Sequence, residues 1–288
     1  MVVSSSKRGL TATDRLMAGY LVLNTAVVLS RADTVSSWPF LLAANLLAAV
    51  LIALLARLRQ PRGLTRMLAG AYPVVLSLGY YAQLGILNTD VGSVRDALVQ
   101  PWELALFGSQ VSVTWHETMP SLALSWLLHV VYISYYWVVP FAALWLFFRA
   151  DDVAFRRGGF IIALGFFTCY AIYLFFPVAG PRYIYGDATG PIAEVLPARL
   201  IFTLMQDGSS WGTAFPSSHV VACWMAVWSL WKPDRRVALI LSPFALLLPP
   251  ATVFGQFHYA VDAIAGVSLA VLLALVADPL RRALERGS

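Results

Sequence analysis

Two of the four histidines in this chain stand among residues able to move protons and hold an anion. The first closes the run Thr213-Ala214-Phe215-Pro216-Ser217-Ser218-His219, just ahead of an apolar stretch. Proline suits the first turn of a helix, where its missing N–H costs nothing. Free backbone N–H groups, the positive end of the helix dipole and the hydroxyls of Ser217 and Ser218 together make an anion site. His219 adds a proton donor beside it, while either serine could instead serve only as a helix cap. The second histidine lies in Gln256-Phe257-His258-Tyr259-Ala260-Val261-Asp262. His258 and Asp262 are four apart and share one face of a helix. A carboxylate one turn inside an apolar helix is costly and needs a partner. Accepting an N–H from His258 would fix the tautomer and leave the other ring nitrogen free to attack. A third run, Phe176-Pro177-Val178-Ala179-Gly180-Pro181-Arg182-Tyr183, offers a lone arginine beside Gly-Pro. Its planar fork could grip phosphate oxygens.

The elements that must position these groups are membrane helices. Of 288 residues, 59% are hydrophobic and only 12% charged, with a mean hydropathy of +0.72. So few charges cannot coat a soluble domain. Disordered, collagen-like and nucleic-acid-binding classes are excluded on the same composition. Cys169 and Cys223 lie inside apolar stretches and read as packing residues. A bilayer core takes about 20 apolar residues per helix. That window predicts spans at 16–30, 38–56, 67–87, 122–148, 159–176, 216–231, 237–256 and 259–277. The expectation is an all-α polytopic membrane helix bundle of about eight spans. The first span lacks a signal-cleavage pattern and reads as uncleaved.

With the N-terminus cytoplasmic and the spans alternating, all but four of the 20 basic residues fall inside; Arg31, Arg95, Arg182 and Arg199 are the exceptions. This asymmetry is what the positive-inside rule requires. It predicts a multi-pass plasma (inner) membrane protein with both termini cytoplasmic. Two long loops, 88–121 and 177–215, then lie outside. The first contains the amphipathic stretch Val91–Gly108 with Trp102, Glu103 and Phe107, suited to the headgroup layer. Arg182, His219 and His258 all come to the extracytoplasmic face at matching depth.

The order Gly-Pro-Arg, Pro-Ser-Ser-His, His-Tyr-Ala-Val-Asp resembles the type-2 phosphatidic acid phosphatase superfamily of membrane phosphoesterases. It most resembles the inositol-phosphorylceramide-synthase-like branch, whose last motif reads HYxxD before small residues, here Ala263-Ile264-Ala265-Gly266. The resemblance covers residues 67–277. It implies a six-helix catalytic core, 67–288, preceded by two additional helices within 1–66. It implies His258 as a nucleophile forming a phosphohistidine, Asp262 as its orienter, and His219 as the proton donor to the leaving group. Arg182 would bind phosphate, with Ser217, Ser218 and Tyr183 nearby. The broader phosphatase pattern also carries a lysine seven residues before that arginine and an arginine six before the nucleophile. This chain has Phe175 and Thr252 there. With two cations missing, the cradle suits a diester or pyrophosphate link better than a doubly charged monoester.

The partners implied are a lipid phosphate, an alcohol acceptor and the bilayer, with no nucleic acid, no cofactor and no metal. Three readings follow: transfer of a phospho-headgroup of inositol-phosphate type between lipid and alcohol, hydrolysis of a polyprenyl or diacylglycerol phosphate, and a non-enzymatic transporter. For the His219–His258–Asp262 set the competing readings are a buried structural network and a zinc site, although zinc-ligand spacing is absent. His129, with Tyr132 and Tyr136 on its face, reads as an interior histidine. His116 and Glu117 read as solvated loop residues, and Trp102 as an interfacial anchor.

Overall fold

The computed structural model describes residues 10–58, 63–89 and 94–286. Lys7, Arg8, Arg59 and Arg62 of the topology argument, and Val91 at the start of the amphipathic stretch, lie outside those residues. The described chain is helical throughout, with one isolated parallel bridge between Val178 and Thr213. In chain order the helices are α1 (Ala12–Ser30), α2 (Trp38–Ala56), α3 (Gly63–Thr89), α4 (Asp96–Phe107) and α5 (Val111–Thr118). They continue with α6 (Leu122–Arg149), α7 (Asp152–Phe175), α8 (Pro181–Tyr185), α9 (Pro191–Glu194), α10 (Leu196–Gly208), α11 (Ser218–Leu230), α12 (Arg235–Phe254) and α13 (Ala260–Arg286).

Eight of these, α1–α3, α6, α7 and α11–α13, coincide with the eight expected spans. By length and composition, α2, α6, α7, α12 and α13 are each able to cross a membrane. Helix α11 falls short for a physical reason: its 13 residues make about 20 Å at 1.5 Å per residue, against a core of about 30 Å. It starts at Ser218, capped by Ser217, so Pro216 precedes the helix and does not sit in its first turn as expected.

Helix α7 forms the axis of the bundle, packing against α1, α3, α11 and α13. Its inward side chains, Phe160, Phe167, Tyr173 and Leu174 among them, are fully enclosed. Cys169 and Cys223 are buried in the same core, as expected of packing residues. Helices α1, α2 and α3 share a polar contact in which Asn45 donates to Asn24 (2.8 Å) and Thr25 (3.0 Å) and accepts from Gln83 (3.2 Å). Such amide bonds join helices where no hydrophobic effect can.

The two ends of the bundle differ. At one end Arg15 on α1 donates to the Leu284 carbonyl on α13, so the first and last helices meet there. The same end carries Arg157 in a two-bond contact with Asp278 (2.7 and 3.1 Å), Lys232 on the same carboxylate (2.7 Å), and Arg66 on Asp152 (2.8 Å). The other end is closed by α4, α5 and α8–α10.

Candidate active site

Three loop junctions at that closed end are stitched together by backbone bonds. Ala214 N–H donates to the Val178 carbonyl (2.9 Å), joining the Gly-Pro-Arg loop to the segment before α11. Ser217 N–H donates to the Asp262 carbonyl (3.0 Å), joining that segment to the first turn of α13. Two glycines make the approach possible. Gly180 has φ +95°, which only glycine adopts without strain, and a Cβ there would stand 3.0 Å from Ala214 and 3.3 Å from the Phe257 carbonyl. A Cβ on Gly266 would stand 3.0 Å from the Ser217 carbonyl, so α13 and α11 cross closely just beneath the histidines.

The sequence-predicted groups arrive as follows. His258 sits in the turn between α12 and α13, where its own N–H and that of Phe257 both donate to the Thr252 carbonyl at 3.1 Å. Its Nε2 faces Nδ1 of His219, in the first turn of α11, at 3.3 Å. Nε2 of His219 in turn meets the Tyr132 hydroxyl of α6 at 3.2 Å. On the far side, Nδ1 of His258 lies 3.4 Å from Asp262 Oδ2, within ion-pair reach but without hydrogen-bond alignment. The aligned bond of that carboxylate is to the Tyr259 N–H, at 2.9 Å. One proton arrangement serves every contact: Tyr132 donates to His219 Nε2, His219 Nδ1–H points at His258 Nε2, and His258 Nδ1–H points at Asp262. Nε2 of His258 then carries the lone pair. Burial first, and the neighbouring His219 ring second, push the His258 imidazole down to about 3, so its neutral form persists.

Arg182, the second residue of α8, turns toward the same place. Its Nε is bound to Asp187 Oδ1 at 2.5 Å, while Nη1 is buried with no partner. A small cavity brings the guanidinium together with both histidines, and hydroxyls of Tyr81, Tyr183 and Thr213 line it. Among its lining residues Arg182 is the one cation. The positions of the two missing cations bring no charge: Phe175 is exposed away from the site, and the buried Thr252 hydroxyl bonds the Pro249 carbonyl.

The serines separate from this group. Ser217 is the N-cap of α11, its hydroxyl accepting from Val220 N–H at 3.5 Å, and neither it nor Ser218 lines the cavity. Ser218 N–H, one of the free donors expected of the helix start, is taken by the Tyr173 hydroxyl at 3.0 Å, which also donates to the Pro216 carbonyl at 2.6 Å. The capping alternative therefore describes Ser217. Tyr183 does reach the cavity, with its hydroxyl 2.5 Å from Ser209 Oγ.

A profile of the PAP2 superfamily matches residues 101–276, more than half of the chain. The chain belongs to the PAP2 superfamily. No curated protein and no solved structure matches it. Membership of this superfamily places the chain among phosphatase- and phosphotransferase-type proteins, and the long apolar helices make it a membrane member. The matched region begins inside α4 and takes in all three motif loops, but leaves out α3, which supplies Tyr81 to the cavity.

Within this PAP2 protein several residues close to the site carried no signal that sequence reasoning could use. Tyr132 and Tyr173 lie in apolar spans, where a tyrosine looks like packing until its hydroxyl partner is known. Glu103 departs from its expected setting. Trp102 and Phe107 are exposed, as an interfacial helix requires, but the Glu103 carboxylate is fully buried toward α13. His116 is half-buried rather than solvated, and burial lowers its pKa. His129 is an interior histidine whose Nδ1 bonds the Ser125 carbonyl at 2.8 Å.

Proposed function

We propose that this PAP2 protein is a lipid phosphotransferase working through a phosphohistidine at His258, and that it moves a phospho-headgroup of inositol-phosphate type between a lipid and an alcohol. The observation that carries the reading is the meeting of three groups in one cavity. These are the lone pair of His258 Nε2, the His219 Nδ1–H that faces it at 3.3 Å, and the unpartnered Nη1 of Arg182. In the first step His219, carrying a proton on both ring nitrogens once the phosphate anion is bound, gives its Nδ1 proton to the leaving oxygen and becomes neutral, while His258 Nε2 forms a bond to phosphorus and the bond from phosphorus to that oxygen breaks. Arg182 holds the equatorial oxygens, whose charge grows in the transition state. In the second step the acceptor hydroxyl passes its proton to His219 and bonds phosphorus while the P–N bond breaks. Asp262 balances the positive charge that His258 carries meanwhile. Acid–base help of this kind contributes about 10²–10⁴-fold.

Charge favours transfer of a diester-type group. One guanidinium, already partly balanced by Asp187, matches a singly charged phosphodiester better than a monoester dianion. The hydroxyl lining from Tyr81, Tyr183 and Thr213 suits a polyol. Helices α3 to α13 then form the six-span core, with α1 and α2 added to it. Sidedness follows from the charges. The end where Arg15 meets α13, rich in Arg66, Arg149, Arg157 and Lys232, is cytoplasmic, and the site opens on the extracytoplasmic side of the inner membrane.

The test is phosphate release and headgroup exchange over a panel of lipid phosphates and phosphodiesters, with purified protein in EDTA, beside His258→Ala. Exchange onto an added alcohol without free phosphate, lost in the variant, supports transfer. Free phosphate lost in the variant converts the reading to a lipid phosphatase. Turnover that survives His258→Ala overturns the mechanism, and inactivity across the whole panel favours a transport role.

A further inference from the structure

Two buried acids outside the three motifs hold those motifs in place. Asp96, the first residue of α4, is 3% exposed, and Glu103, two turns on, is 0% exposed. Asp96 Oδ2 accepts the Ala179 N–H at 2.8 Å. Asp96 Oδ1 accepts the Gly180 N–H at 2.9 Å and the Tyr259 hydroxyl at 3.0 Å. One carboxylate thus binds the backbone two residues before Arg182 and the side chain next to His258. Two neighbours reinforce it: Arg95 N–H donates to the Pro177 carbonyl (2.7 Å) and Gln100 Nε2 donates to the Tyr259 hydroxyl (3.2 Å). Glu103 accepts Val261 N–H (3.3 Å) at the start of α13 and Ser112 N–H (3.4 Å) at the start of α5.

These contacts answer a need that the loops create. The first N–H groups of a helix have no partner within it, and a buried one left unpaired is expensive. Asp96 supplies two acceptors on a rigid fork, which an amide cannot match. Among the described residues neither acid pairs with a lysine or arginine, so what they gain by burial is their grip on backbone.

We propose that α4 is a positioning element, in which Asp96 sets the separation of the Arg182 loop from the His258 loop and Glu103 anchors the turn of α13 that carries Asp262. Neither acid touches the substrate. The inference rests on the reading of His258 and Arg182 as the phosphoryl site. A misplacement of reacting groups of about 1 Å costs about 10²-fold in rate, so the loss of Asp96 acts on kcat more than on KM.

The test compares wild type, Asp96→Asn, Tyr259→Phe and the double variant as full chains in detergent. Three quantities are measured: kcat and KM on the lipid phosphate and phosphodiester panel, affinity for orthovanadate as a five-coordinate phosphorus mimic, and hydrogen exchange of segments 176–183 and 257–263. Asp96→Asn is expected to lower kcat by about 10²-fold with KM changed less than about threefold. Vanadate affinity should weaken in parallel, and both segments should exchange faster while the melting temperature of the bundle is kept. The double variant should add little to the single one, because both break one contact. Unchanged exchange in both segments overturns the inference whatever the enzyme does, and so does a kcat within twofold of wild type. If Asp96→Asn does not fold, Tyr259→Phe decides by the same readings, since it removes a single hydroxyl. A wild type that binds no vanadate sinks the phosphoryl reading instead, and the exchange result still judges the grip of α4 on both loops.

Discussion

Two groups of acids, one at each end of the bundle, are used differently. At the end where the first and last helices meet, Asp152 and Asp278 bond arginine and lysine side chains, and Glu285 bonds Arg281 at 2.7 Å. At the site end Asp96, Glu103 and Asp262 bond backbone N–H groups, and among the described residues none of the three pairs with a lysine or arginine; Asp187 there does bond Arg182, and Asp14, Asp151 and Asp234 at the opposite end accept N–H groups of their own helix starts. A side-chain pair can be lost with a local cost, because its partner is another side chain and not the path of the chain. An acid holding backbone fixes the path of the chain, and with it the groups that the chain carries. Buried polar atoms without a partner occur at both ends, Arg182 Nη1 and His258 Nδ1 at the site and Arg157 Nη1 at the other. The difference lies in what the acids hold: side chains in one group, the backbone that carries the site residues in the other.

That contrast breaks if substitutions at the two ends have similar effects. The largest effect is expected from His258→Gln, which should abolish turnover while leaving the protein folded. Arg182→Lys comes next: it keeps the charge but loses the fork, and kcat/KM should fall by about 10²–10³-fold, read in the same lipid assay. Near-wild-type activity would show that a point charge is enough there. Asp278→Ala should do the reverse. It strands the 8%-exposed Arg157 and should cost about 1.5–3 kcal/mol of stability, seen as a lower melting temperature with turnover per folded molecule unchanged.

The last expectation concerns pH, and at neutral pH it changes nothing. His258 is held neutral, its pKa lowered by burial from an ordinary 6.5 to about 3 in the folded protein. Between those values the unfolded chain binds the extra proton, so this group makes stability fall as pH drops from about 6.5 toward 3. His258→Gln should therefore lose less stability than wild type on acidification across that window. Equal losses would mean that the ring is not held neutral by the fold.

How much of this was legible in the sequence depends on what each residue needs in order to be recognised. Five of the eight expected spans, α2, α6, α7, α12 and α13, declare themselves by apolar length, and His219, His258, Asp262 and Arg182 by being ionisable at span ends, where such groups are costly. The motif order carried the superfamily. Ser217 was ambiguous because the same hydroxyl that caps a helix can bind an anion; in the structure it accepts from Val220 N–H. Asp96 gave no warning, since an acid near a loop looks solvated until α4 turns it inward, and Glu103, which the amphipathic pattern sets in the headgroup layer, is buried instead. Tyr132 is silent for the opposite reason: in an apolar span its ring looks like packing, and its hydroxyl acquires meaning only from His219, 87 residues away.

The most direct test of the central claim is to trap the intermediate. Protein mixed with a lipid substrate labelled at phosphorus, quenched within a turnover and digested, should yield an acid-labile, alkali-stable label on the peptide containing His258. The label should be absent from His258→Gln and should disappear from wild type when the acceptor alcohol is added before quenching. Steady turnover with no label on that peptide, or a label that persists in His258→Gln, would contradict the account.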